Sequence, residues 1–385
     1  MKAMPSKIVS SDSHIVEPPN LWQDRMSKRK WGDRIPRVGK GEVAGADDMY
    51  VDGQPMGVLF RSFSDVGRRF DDPDSIRLEG SVSDTRLGAY DPVERIKDMD
   101  ADGVYADVIY PSMLLNMWSA IGDASLGRVV FAAYNDWLAD FCAKTPRRLF
   151  GIGQILLEGD IKAGIRELER IAGLGLGGVM ISVYPRPEDA YDKPIYEPFW
   201  AAVQDVGLPL SLHIGTKRPT AQETNKNNPM IKMEPSPSQR ANVEYWARMS
   251  LSQIVYSGVC ERYPRLKFVQ LEHELSWVPF FIDRLDYVYR EKPQLANHRF
   301  KSGALPSDFM RQNVFHSFQE DGLGIRNRDF IGVENLLWGS DYPHIESTFP
   351  RSRQILGRIL KGVPEAEKAK ITGENTARVY GIRGS

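Results

Sequence analysis

Apolar and β-branched positions gather in eight short runs along the chain, at residues 8–11, 106–110, 149–155, 178–183, 209–213, 266–271, 314–318 and 336–340. Each run is short and rich in apolar or β-branched residues, and their alternation with longer amphipathic segments predicts buried parallel strands. The stretches between them carry helical spacing instead. Asp91-Pro92-Val93-Glu94 reads as a capping-box helix start with proline at the first helical position, and Ile161, Ile165, Leu168 and Ile171 mark one apolar face over residues 160–173.

Eight strands alternating with helices predict an α/β fold of the (β/α)8 TIM barrel type, here with insertions after strands 1 and 5. An open doubly wound sheet would place a glycine-rich phosphate loop after its first strand. This chain has Asp12-Ser13-His14 there. The excess length sits at residues 18–90 and 216–237, both after C-terminal strand ends, so both are expected to form a lid or pocket wall. Residues 1–385 are expected to form one barrel domain closed by a C-terminal helix pair.

The 385 residues are 42% hydrophobic and 26% charged, enough for a large core. Fifty Lys and Arg against 51 Asp and Glu leave a net charge of -1, so no basic surface is expected for nucleic acid or an anionic membrane. Cys142 and Cys260 form no Cys-x-x-Cys pair, which argues against a thiolate metal site and fits buried small side chains in a reduced compartment. Apolar runs such as 277–282 are far shorter than the roughly 20 residues a bilayer span needs. With no signal-peptide pattern at the N-terminus, a cytoplasmic location is expected.

Three of the six histidines fall at predicted strand ends: His14 after the first, His213 at the fifth and His273 after the sixth. His316 lies within the seventh, and His298 stands in a polar loop where a surface role is expected. Asp12 is two residues from His14, which puts both side chains on one face of an extended backbone, and Asp341 follows the eighth strand. Carboxylates and imidazoles converging on a barrel mouth are the donor set of zinc and similar divalent ions.

Those motifs, Asp12-Ser13-His14, Leu210-Ser211-Leu212-His213-Ile214-Gly215, Glu272-His273 and Gly339-Ser340-Asp341-Tyr342-Pro343-His344, occur in an order and spacing that resembles the amidohydrolase superfamily. The branch resembled is the amidohydrolase-2, or aminocarboxymuconate semialdehyde decarboxylase-like, group. The resemblance implies Asp12, His14, His213 and Asp341 as ligands of one divalent ion, zinc first and manganese second, with no organic cofactor. It further implies His273 and Asp341 as the proton-handling pair, and a homo-oligomer. Asp12 departs from the histidine many members carry, which adds a harder oxygen donor and leaves the metal's identity open.

Such a centre can polarise an oxygen of a bound substrate, stabilising the electrons released with carbon dioxide, or it can activate water for attack on a carbonyl. The expected reaction is non-oxidative decarboxylation of a small unsaturated or aromatic carboxylic acid, with hydrolysis of a carbon–carbon bond, ester, lactone or amide as the alternative. A barrel that has lost catalysis and only binds is the third reading, disfavoured by the complete ligand set. His273 is expected to change protonation near neutral pH. Candidate substrate contacts are Arg186 and Arg61, with Arg68 and Arg69 as further carboxylate-matching arginines, together with Tyr342 and His344. Trp118 and Phe318 are candidate pocket aromatics or core residues.

Overall fold

The computed structural model describes residues 7–57, 63–77, 79–220, 223, 236–296 and 298–382. Eight parallel strands form one curved sheet: β1 (Ile8–Ile15), β5 (Val104–Pro111), β6 (Leu149–Gln154), β7 (Gly178–Ile181), β8 (Leu210–His213), β9 (Phe268–Leu271), β10 (Val314–Phe318) and β11 (Leu336–Trp338). They neighbour one another in chain order, with helices between them, as a (β/α)8 barrel requires. All eight predicted strands are present. The helix over Pro92–Asp102 starts at Asp91, whose carboxylate accepts from the Val93 and Glu94 amides, and Asp160 caps Ile161–Gly173 in the same way through Ala163.

Three strands are missing from the sequence reading: β2 (Arg37–Lys40), β3 (Asp47–Val51) and β4 (Gln54–Pro55), an antiparallel sheet inside the first insertion. They are two to five residues long and mostly half-exposed, so no sustained alternation marks them. β1 is longer than expected. It runs through Asp12 and His14 to Ile15, every residue buried, with an irregular register between Ser10 and Ser13 that takes in Asp12.

The barrel closes where β11 meets β1, and it closes with few bonds. Beyond the end of β11 the Asp341 amide donates to the Asp12 carbonyl at 2.9 Å, and the His14 amide donates to the Tyr342 carbonyl at 2.6 Å. The Ser340 amide donates to Ser10 Oγ at 2.9 Å, and Ser11 Oγ donates to the Trp338 carbonyl at 3.1 Å. At Gly339 a Cβ would stand 2.5 Å from the Asp12 Cβ and 3.1 Å from its backbone nitrogen. Glycine here lets the last strand approach the first. Below the seam, the helix Asn375–Tyr380 packs against β1 and β11, and the Tyr380 hydroxyl meets that of Tyr110 at 2.9 Å.

Cys142 and Cys260 are free, and burial pushes both thiols up to about 12, which suits packing rather than reactivity. Among the described residues no helix is long and apolar enough to cross a membrane.

Gly339→Ala tests the seam. The added methyl group should cost about 1–3 kcal/mol of stability, as overpacking in a tight core does, read by chemical denaturation. A variant as stable as the parent would mean that the seam yields freely.

Candidate metal centre

Asp12 and His14 project from β1, and His213 ends β8. Asp341 lies three residues past β11, in a left-handed backbone conformation at φ 55°. Their donor atoms gather in two groups that share His14: Asp12, His14 and His213 in one, and His14 and Asp341 with Glu272 and His344 in the other, the donors of each group lying within 4.8 Å of one another. His14 Nε2 stands 3.4 Å from Asp12 Oδ1 and 3.3 Å from Asp341 Oδ1, and His213 Nε2 stands 3.5 Å from Asp12 Oδ1. Asp12 Oδ1, His14 Nε2, His213 Nε2 and both Asp341 carboxylate oxygens are buried without a hydrogen-bond partner. Orphaned buried polar atoms are costly, and five in one spot fit a group that ligates them. The separations agree: two donors each about 2.1 Å from one ion at a tetrahedral angle stand about 3.4 Å apart.

Both imidazoles are oriented for this. His14 Nδ1 lies 2.7 Å from the Pro111 carbonyl and His213 Nδ1 lies 2.9 Å from the Ile214 carbonyl, so each ring donates through Nδ1 and turns Nε2 toward the cluster. Burial alone would raise Asp12, but His213 and His14 outweigh it and hold the carboxyl below the ordinary range. Burial lowers His213, yet the Asp12 carboxylate more than compensates and lifts it to about 9. Asp341 is pushed up to about 7 by burial, partly offset by His14.

A buried cation holds the framework. The Arg95 guanidinium, fully buried, binds Asp107 Oδ2 at 2.9 and 3.0 Å, the His14 carbonyl at 2.7 Å and Ser13 Oγ at 2.5 Å. It also lies 4.4 Å from the centre of the Tyr342 ring. One side chain thus braces two of the three segments that carry ligands, β1 and the turn after β11.

The other expected residues divide. His273 is buried with both ring nitrogens unpartnered, and burial, reinforced by His213, pushes it down to about 3. The expectation of titration near neutral pH is therefore corrected: in this environment the ring is neutral. His344 joins the cluster, its Nδ1 2.8 Å from Asp341 Oδ1 but outside hydrogen-bond geometry, and its ring stacked 4.0 Å from that of His14. Phe63, from the first insertion, packs on it with ring centres 5.6 Å apart, so that insertion does reach the centre.

Tyr342 instead ties its hydroxyl to Asp98, and Arg186 donates to the Pro219 and Gly122 carbonyls at 3.1 and 3.2 Å; neither is brought into the cluster. Arg69 serves the fold, donating to the Ser347 carbonyl and pairing with Glu320. Arg68 pairs with Asp65. Arg61 and most of residues 216–237 lie outside the described residues. Trp118 and Phe318 are buried core residues, His316 bonds to Gln270, and His298 pairs with Glu261 at 2.8 Å.

Sequence reasoning overlooked Glu272. Its Oε2 lies 3.6 Å from His213 Nε2, and with His14, Asp341 and His344 it forms a second donor group overlapping the first. The signal was available, since it directly follows a strand, but the histidine beside it drew the assignment.

The family model described as Amidohydrolase matches residues 61–382. The chain belongs to the amidohydrolase family. The match begins after β1, so in this amidohydrolase Asp12 and His14 are tied to the centre by the structure rather than by that model. A gamma-resorcylate decarboxylase from Rhizobium sp. (strain MTP-10005) is 25% identical over 312 residues, covering 76% of this chain and 87% of the relative. In fold, the amidohydrolase resembles one from Mycobacterium avium subsp. paratuberculosis K-10 (TM-score 0.74, 19% identity, 98% and 100% of the two chains). It also resembles a dihydroxybenzoic acid decarboxylase from Polaromonas sp. JS666, solved with manganese and the inhibitor 2-nitroresorcinol (TM-score 0.65, 17% identity, 99% and 98%).

Arg95→Met leaves Asp107 as an uncompensated buried anion, which should cost about 3–5 kcal/mol of stability. The double variant Arg95→Met/Asp107→Leu should regain most of it while still binding metal at least about tenfold more weakly, because the His14 carbonyl has lost its brace. Calorimetric metal titration checks this; parental affinity in the double variant would contradict the bracing role.

Proposed function

We propose that the protein is a metal-dependent carboxy-lyase that removes carbon dioxide, without oxidation, from a small aromatic or otherwise unsaturated carboxylic acid. The observation that carries this reading is the set of five unpartnered buried donor atoms on Asp12, His14, His213 and Asp341, supported by the decarboxylases among its relatives. Those four residues would hold one divalent ion. When bound, the ion supplies positive charge to an anionic oxygen of the substrate, stabilising the electrons left by the departing carboxylate. Zinc accepts this donor set, but two carboxylates among four ligands favour a harder ion such as manganese.

The chain's own residues supply the rest. Decarboxylation leaves a carbon that needs a proton, and in this reading Asp341, which burial pushes up to about 7, is the side chain that holds and delivers it while His273 positions the substrate. His273, buried and neutral, suits hydrogen bonding to the substrate as its charge changes. The first insertion, through Phe63 against His344, narrows the approach and limits water around the reacting carbon. Homo-oligomeric assembly belongs to this reading through the family resemblance alone.

The test is a screen of hydroxybenzoate and muconate-type acids with the metal-loaded protein, scoring carbon dioxide separately from hydrolytic products. Carbon dioxide release in step with loss of an aromatic acid is expected, and His273→Asn should keep its metal while kcat falls at least about 10²-fold. Hydrolysis without carbon dioxide would overturn the proposed reaction. Near-normal turnover in His273→Asn would reduce His273 to packing.

A further inference from the structure

Four ligands leave Glu272 without a task, although its surroundings aim it at the same point. It follows β9 with φ 58°, a left-handed conformation costing an ordinary L-residue about 1–2 kcal/mol. Asp341 adopts the same conformation at φ 55°. Both turns bend the chain at the mouth of the barrel, where strained residues persist because the surroundings hold them. The consequence is geometric. Glu272 brings a carboxylate oxygen to 3.6 Å from His213 Nε2, close to the spacing of the accepted donors. It can do so while every donor atom in its group with His14, Asp341 and His344 lies within 4.8 Å of the others.

Charge gives an independent argument. Asp12, Glu272 and Asp341 are three carboxylates whose ion-pair partners are imidazoles, and no lysine or arginine among the described residues lies within 4 Å of them. Gathering them around unpartnered nitrogens without a cation would be expensive. A divalent ion held by only two of them would leave the third next to Asp341 as an uncompensated carboxylate.

We propose that Glu272 is a fifth ligand of the ion in the resting centre, entering beside His213 and Asp341. This rests on the proposed metal site and extends it. Glu272 then fills a coordination position that a water molecule would otherwise take, and its removal opens that position to solvent.

The experiment uses the full-length protein stripped of metal and titrated with Mn²⁺. Free ion is followed by electron paramagnetic resonance, and exchangeable water on the bound ion by water-proton relaxation. Glu272→Gln should weaken Mn²⁺ binding at least about tenfold and raise the relaxation enhancement per bound ion. Asp12→Asn should weaken binding at least as much. Glu272→Asp keeps the charge but withdraws the oxygen by one methylene, so it should shift affinity in the same direction and covers the case in which the glutamine variant fails to fold. If Asp12→Asn weakens binding while both Glu272 variants match the parent in affinity and relaxation, Glu272 is a bystander and the four-ligand site stands. If none of the variants changes affinity, the metal site lies elsewhere and both proposals fall.

Discussion

The hydrogen bonds between the turn after β11 and the middle of β1 close the barrel and build the centre at once. The amide of Asp341 reaches the carbonyl of Asp12, and the amide of His14 reaches the carbonyl of Tyr342. Three of the four residues proposed to hold the ion are thereby placed by the seam itself. β11 is only three residues long, so the closure depends on Gly339 permitting close approach, on serine hydroxyls bridging the strands, and on Arg95 beneath. A displacement of the last strand would alter the fold and the distances among donors together.

Electrostatics explains why such a seam would need an ion. Carboxylates from β1, from the turn after β9 and from the turn after β11 are driven together at the barrel mouth, each placed there by backbone geometry and faced by imidazoles rather than by a lysine or arginine. Asp12 stays ionised through His213 and His14, whereas burial drives Asp341 and Glu272 up to about 7. A cation would relieve all three at once, which makes ion binding and barrel closure mutually supporting events.

Much of this was legible in the sequence because the barrel imposes a simple rule: side chains at strand ends meet at one mouth. Asp12, His14, His213 and Asp341 are far apart along the chain but obey that rule, so counting strands was enough to bring them together. Residues whose position depends on a turn were harder to read. Glu272 reaches the centre only because the chain bends through a positive φ, which a glutamate does not advertise. Arg186 follows a strand as a ligand would, yet loop carbonyls claim its guanidinium. The neutrality of His273 is likewise a matter of burial, invisible in its neighbours along the chain. Strands β2 to β4 escaped because they are brief and half-exposed.

The coupling between closure and ion binding is open to direct measurement by amide hydrogen exchange, comparing metal-free with Mn²⁺-loaded protein at the two amides that span the seam, those of His14 and Asp341. If three of the residues that hold the ion are placed by the seam, loading should slow exchange at these amides by at least about tenfold, well beyond any change at barrel strands such as β6 and β7. Equal protection with and without the ion, or a uniform change across the barrel, would contradict the claim that closing the barrel and forming the centre are one event.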